Sequence, residues 1–178
     1  MNVDKIYTRK GDSGQTSLYS GERVSKCSAR IKLVGRLDTA NAQLGLAKFY
    51  CNTPFLYDAI ENIHLILIKQ IMAVVAYNGE YSLEDCDYLG RIQNLYDDVI
   101  EKHPNDKITD WTLYGSGTQQ EAHLDLATCI IRECEVLFHE TQNELAKESF
   151  SVVLPSDFSE FFNTLSKVTF LLARLEVV

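Results

Sequence analysis

Hydrophobic and polar positions in this chain recur with a helical period. From about Ala29, the positions Val34, Leu37, Asn41, Leu44 and Lys48 repeat at three- and four-residue spacing, the signature of one helix face. Asn52 and Pro54 restart the chain, and Ile60, Ile63, Leu67, Ile71 and Val74 form a second apolar stripe that ends at Asn78 and Gly79. Ser82 and Asp85 make a capping-box-like start for a third helix over about 83–102, with Leu89, Ile92, Leu95 and Val99 inward. Pro104–Gly117 reads as a loop. A fourth helix is predicted from about Thr118 to Thr141, with Leu124, Ala127, Ile131, Cys134 and Phe138 inward. Pro155 opens a fifth, carrying Phe158, Phe161, Leu165, Val168, Leu172 and Leu175. Five amphipathic helices with short connections predict an all-α fold, a five-helix up-down bundle. No alternating strand pattern competes with it. Residues 1–28 read as an irregular arm punctuated by Gly11, Ser13, Gly14, Ser20 and Gly21. The whole, 1–178, reads as one domain, an arm over 1–28 and a bundle over 29–178.

Composition narrows the function classes. A chain of 178 residues can bury its own core without disulfides or metals, and 46% hydrophobic residues exclude a disordered chain. The net charge of −8 argues against a nucleic-acid partner. Charge is uneven, however: residues 1–36 carry eight basic and three acidic side chains, net +5, and the remainder carries −13. A basic, glycine-bearing segment on an acidic body is either an anion site or a solvated tail. Met1–Lys10 has no apolar central region, so no signal peptide is expected. Ile63–Tyr77 is broken by His64, Lys69 and Gln70 and is too short to cross a bilayer, so no membrane is expected. The five cysteines are an odd number without a CxxC pair and suggest reduced thiols. The expected location is the cytoplasm, with an organellar matrix as the alternative.

The segment Thr8-Arg9-Lys10-Gly11-Asp12-Ser13-Gly14-Gln15-Thr16-Ser17-Leu18 is dense in what anion binding needs. Glycines let backbone N–H groups approach a ligand. Thr8, Thr16 and Ser17 supply hydroxyls, and Arg9, Lys10 and Lys26 supply positive charge for phosphate. The segment is neither a Walker A loop nor a Rossmann fingerprint. On chemistry alone it is a phosphate-type loop or a polar surface turn.

Lys5-Ile6-Tyr7-Thr8-Arg9-Lys10-Gly11-Asp12-x-Gly14-x-Thr16, then Gly21-Glu22-Arg23-Val24-x-Lys26, Arg30 and Gly35-x-x-Asp38-x-x-Asn41, resembles the opening of the PduO-type ATP:corrinoid (cobalamin) adenosyltransferases. Their pattern runs roughly YTKTGDxGxTxLxxGxRVxKxxxRxxxxGxxDELN. The resemblance implies a cobalamin adenosyltransferase-like five-helix bundle with ferritin-like packing, assembled as a homotrimer. It implies ATP and a corrinoid as ligands, with Mg²⁺ on the ATP phosphates. It also implies a corrinoid reductase and an adenosylcobalamin-dependent mutase as partners.

The family carries LHxARTxxRRAER on its fourth helix, where this chain has Leu124-Asp125-Leu126-Ala127-Thr128-Cys129-Ile130-Ile131-Arg132-Glu133-Cys134-Glu135. Arg132 and Glu135 are kept, three apart on one helix face, with Thr128 four before Arg132 on that face. Read without the family, Arg132 and Glu135 make an exposed intrahelical ion pair. The fifth-helix pattern YLNRLSDLLFVLAR places Asn163 at an ATP-contacting asparagine and Arg174 at the terminal arginine. Departures are concentrated here. The first motif arginine is Thr128, so Asp38, its implied partner across the subunit interface, loses that partner. Glu133 and Lys167 reverse the family's signs, which predicts a Glu133–Lys167 ion pair of swapped polarity. Thr39 stands for the glutamate of DELN. Trp111-Thr112-Leu113-Tyr114-Gly115-Ser116 stands where the family has an FxLPGG-like stretch.

By this resemblance the chain transfers the 5′-deoxyadenosyl group of ATP to Co(I) and releases triphosphate. Co(I) is itself the nucleophile, so the protein supplies position and charge. Lys10, Lys26 and Arg132 would meet the triphosphate, while Thr8, Arg9, Gly11, Thr16 and Ser17 wrap it. Glu135 and Asn163 would fix the nucleoside or orient Arg132. Arg132, Lys26 and Asp38 are the residues expected to carry catalysis. Trp111 is the corrinoid-binding candidate, a bulky aromatic able to exclude the lower axial ligand, or else an ordinary core residue. No protein metal ligand is expected. Two rivals stand beside this reading: a non-catalytic ATP-binding relative acting as corrinoid carrier or regulator, and a purely structural bundle oligomer.

Overall fold

A computed structural model describes residues 11–18, 21–51, 53–76, 87–102, 114–115, 117–147, 154 and 157–175. The chain forms β1 (Gln15–Ser17), β2 (Arg23–Ser25), α1 (Ala29–Phe49), α2 (Pro54–Ala76), α3 (Tyr88–Lys102), α4 (Gln119–Lys147) and α5 (Phe158–Leu172). The five helices are those the apolar stripes predict. Leu37 and Leu44 on α1, Ile60, Ile63 and Leu67 on α2, Ile92 and Val99 on α3, and Leu124, Ile131 and Phe138 on α4 are all buried. Phe158, Phe161 and Phe162 of α5 pack edge-on or tilted against Tyr88 and Phe138, giving the core an aromatic centre.

Most neighbouring helices run in opposite directions, but α3 and α5 run the same way, since Tyr88 at the start of α3 meets Phe158 at the start of α5. Ala29 meets Glu144, Arg36 meets Glu133 and Gln43 meets His123, so α1 and α4 are antiparallel, and theirs is the most extensive interface. Asp125 meets Arg174 and His139 meets Ser159, so α4 and α5 are antiparallel too. Lys48 pairs with Glu61, joining α1 to α2. The order around the bundle is α2, α1, α4, α5, α3, closed by a narrow contact between α3 and α2. Among the described residues no helix is long and apolar enough to cross a membrane.

Four local expectations are corrected. The arm is not wholly irregular: Gln15–Ser17 and Arg23–Ser25 form an antiparallel hairpin with Thr16 opposite Val24. Strands of three residues are too short to display a period. The third helix begins at Tyr88, where Asp87 accepts from the Gly90 N–H at 2.8 Å. The fourth helix continues to Lys147, because Leu145 still packs on the core. The fifth begins at Phe158 and not at Pro155. Ser82, Asp85 and Pro155 lie outside the described residues, as do the side chains of Ile71 and Val74.

Candidate functional site

The described part of the arm starts at Gly11. Gly14 has a φ of 77°, the left-handed region that glycine enters without strain. Its N–H donates to the Gly11 carbonyl at 3.3 Å, and its own carbonyl accepts from the Lys26 N–H at 2.9 Å. This turn brings the Lys26 ammonium over Gly11, 2.9 Å from where a Cβ would stand. A side chain at Gly11 would push the flexible end of Lys26 aside. Thr16 and Ser17 follow on β1, and the Ser17 hydroxyl accepts from Arg23 at 3.2 Å. The arm thus gathers Gly11, Thr16, Ser17 and Lys26 into one hairpin. Thr8, Arg9 and Lys10 lie outside the described residues.

The hairpin is tied to the bundle at the start of α1. Ser28 caps the helix by accepting from the Ile31 N–H, and its hydroxyl donates to the Ser25 carbonyl at 2.9 Å. Glu144 of α4 accepts from the Ala29 N–H at 2.8 Å. A carboxylate at a helix N-terminus satisfies an orphan donor and complements the dipole. Arg30 is buried beneath this joint, and burial pulls its guanidinium below the ordinary value while the Glu22 carboxylate opposes the shift. Sequence reasoning missed Glu144 and the burial of Arg30; neither has a local pattern.

Arg132 and Glu135 lie on the middle of α4, Arg132 exposed and Glu135 half-buried. Among the described residues they form no ion pair with each other, so the intrahelical-pair reading fails. The register fixed by His139–Ser159 and Asp125–Arg174 sets Asn163, exposed on α5, at the level of the Glu135 turn. Arg132, Glu135 and Asn163 therefore share one zone of the α4–α5 side. Thr128 does not join them: it is fully buried, and its hydroxyl donates to the Leu124 carbonyl at 2.9 Å. Four residues advance a helix by more than one full turn, and that small rotation suffices to carry Thr128 from the rim into the core.

Glu133 does not pair with Lys167. It pairs with Arg36 of α1 through two contacts, so the swapped-polarity expectation is overturned. Glu133 lies on the α1-facing side of α4, whereas Lys167 belongs to α5. The negative charge that Glu133 brings beside Arg132 is thereby neutralised. The pair crosses a groove of about 540 Å³ lined by Lys32, Gly35, Arg36, Thr39, Glu133, Val136 and Leu137. Gly35 and Thr39 belong to the Gly-x-x-Asp-Thr stretch of α1, and a Cβ on Gly35 would meet open space. Asp38, on the same stretch, is exposed.

No hydrogen bond or ion pair links the hairpin to Arg132, Glu135 or Asn163 among the described residues. The anchor of α1 at Glu144 lies twelve residues from Arg132, about 18 Å along the helix axis.

At the far end of α4, Asp125 is buried and holds both Arg174 and the Gly115 N–H. Trp111 lies outside the described residues. Cys134 is buried, and burial pushes its thiol up to about 12. Among the described residues no group of three metal-ligating side chains occurs.

Comparison with known proteins decides the lineage. The sequence profile of the cobalamin adenosyltransferases matches residues 6–176. The chain belongs to the cobalamin adenosyltransferase family. It is 28% identical to the corrinoid adenosyltransferase PduO of Citrobacter freundii over 176 residues, 96% of this chain and 49% of that protein. This chain thus spans about half the length of that relative. It is 27% identical to the cobalamin adenosyltransferase of Cupriavidus metallidurans, covering 97% of this chain and 88% of that one. Among solved structures it resembles a variant of the PduO-type ATP:corrinoid adenosyltransferase from Lactobacillus reuteri complexed with cobalamin and ATP. The TM-score is 0.77 at 25% identity, over 96% of this chain and 89% of the other.

Proposed function

We propose that this chain is an ATP:corrinoid adenosyltransferase. The observation that carries the reading is that Lys26 and Arg132, both at positions of the family pattern, form no ion pair among the described residues. Two cations left without a carboxylate partner, Lys26 on the glycine turn and Arg132 on α4, suit an incoming polyphosphate. In the reaction the Co(I) lone pair of the corrinoid attacks C5′ of ATP. A cobalt–carbon bond forms, the C5′–O5′ bond breaks, and its electron pair leaves with triphosphate.

The chain's task is to hold the two substrates and to meet charge building on the leaving group. Lys10, Lys26 and Arg132 take the phosphate oxygens. Thr8, Arg9, Gly11, Thr16 and Ser17 supply hydroxyl and backbone donors, and Glu135 and Asn163 orient the nucleoside or Arg132. Mg²⁺ arrives with the ATP phosphates and shares their charge. Trp111 takes the corrinoid side and excludes the lower axial ligand. Because no bond links the hairpin to the Arg132 face among the described residues, the reading includes a homotrimer whose neighbouring copies complete the site, with Asp38 at the subunit contact. Reduced corrinoid would come from a reductase, and product would pass to an adenosylcobalamin-dependent mutase.

A second reading, an ATP-binding carrier or regulator without catalysis, is favoured by Thr128, which offers Asp38 no arginine. Anaerobic incubation with ATP, Mg²⁺ and chemically reduced cob(I)alamin separates the two. Adenosylcobalamin should appear in the absorption spectrum and be lost in Lys26→Ala and Arg132→Ala. ATP binding without product would leave the carrier reading standing instead.

A further inference from the structure

The pairing of Asp125 with Arg174 is not explained by ATP binding. Asp125 sits in the apolar run of α4 between Leu124 and Ala127, at the place where the family's fourth-helix pattern has histidine. It is 2% exposed, a position where a carboxylate persists only if its oxygens are satisfied. Both are. Oδ1 accepts from Nη1 of Arg174 at 2.5 Å, and Oδ2 accepts from the Gly115 N–H at 3.0 Å.

Each partner is held a second time. Arg174 Nη1 also donates to the Phe170 carbonyl at 3.3 Å, and the guanidinium lies 4.1 Å from the Phe170 ring centre and 5.7 Å from that of Tyr114. Gly115 has a φ of 69°, and a Cβ there would stand 3.6 Å from that of Ala122. The two carboxylate oxygens thus join three elements: the first turns of α4, the end of α5, and the segment that enters α4. Arg174 Nε and Nη2 are buried without a partner, so the guanidinium is fixed through Nη1, by Asp125 and the Phe170 carbonyl, and by its rings. A pair that only stabilised the helix contact would need no bond to Gly115.

We infer that Asp125 is a positioning residue: with Arg174 it anchors Tyr114–Gly115, and so sets the corrinoid side of the site independently of the ATP side. The inference rests on the adenosyltransferase reading for its second half. The separation of sides follows from α4 itself: Asp125 precedes Arg132 by seven residues, about 10 Å along the axis.

The test compares Asp125→Asn, Asp125→Ala and Arg174→Met in the full chain. Asparagine keeps an oxygen for the Gly115 N–H and loses the charge; alanine loses both. Amide hydrogen exchange of Gly115, read by NMR, should speed up about tenfold or more in Asp125→Ala and stay near wild type in Asp125→Asn. The KM for cob(I)alamin should rise about tenfold in Asp125→Ala with the KM for ATP within about twofold, and Asp125→Asn should restore most of it. Arg174→Met should fall between the two. Equal shifts in both KM values, or an asparagine variant as impaired as alanine, overturn the positioning role. Unchanged Gly115 exchange in Asp125→Ala overturns the anchor itself, and this readout needs no activity. If wild-type protein forms no adenosylcobalamin, the adenosyltransferase reading and the corrinoid half fall, while the exchange result still decides the anchor.

Discussion

Two stretches of α4 carry charge in opposite ways. Around Arg132 and Glu135 the side chains are at the surface or half-buried and pair with nothing on their own helix. Two turns earlier Asp125 is buried with both oxygens occupied. The difference is one of what the charge is for. A guanidinium kept in water costs little in the free protein and can spend its full attraction on an arriving anion. A buried carboxylate has already exchanged water for protein donors, and its bonds are committed to shape. On one helix, the exposed charge stays in water and the buried charge is tied to fixed partners.

Removing each charge tests that contrast. Arg132→Ala should lower kcat/KM for adenosylcobalamin formation by about a hundredfold or more with little change in Tm, as expected when one charge-stabilising donor is lost. Thermal scans that show a large Tm loss would place Arg132 among the structural residues. Asp125→Ala should do the reverse first: it leaves Arg174 buried and unpaired, at a cost of about 3 kcal/mol in unfolding free energy by denaturant titration. Asp125→Leu with Arg174→Met should recover most of that stability, since two apolar side chains replace the pair.

A smaller effect concerns pH. His64 of α2 has its Nε2 buried without a partner, and burial first, then Lys48, lower its pKa from the ordinary 6.5. A depressed folded pKa means that the unfolded chain takes up the proton first. The stabilising contribution is present above 6.5 and is lost as pH falls through that value toward the lowered one. Tm should therefore drop on acidification, and His64→Gln should flatten the slope just below neutrality; a slope unchanged in the variant would assign the drop to other groups. The smallest effect belongs to Arg36 and Glu133, which are substantially exposed. A double-mutant cycle should give a coupling of about 0.5 kcal/mol or less, screened by salt.

Much of this molecule is legible in its residues. Leu37, Leu44, Ile63, Ile131 and Phe138 announce their helices because a buried face must repeat at 3.6 residues whatever it packs against. The arm's glycines and cations leave two readings, an anion loop or a polar turn, because composition within one segment does not choose between them. The hairpin was not legible, since three-residue strands show no period and their pairing is a contact between separate segments. Glu133 misled for a related reason: its sign reversal invited a partner on α5, but its direction around α4 points it at α1 and Arg36. Direction around a helix depends on the bundle's neighbour order, which no single stripe records.

The sequence by itself determined five helices and their inward faces, because each follows from spacing within one stretch of chain. Tertiary structure decided which charges are free and which are committed. Glu144 caps α1 from 115 residues away, Arg36 takes Glu133 across 97, and Arg174 takes Asp125 across 49. Those choices depend on helix order and on burial, which exist only once the chain has packed.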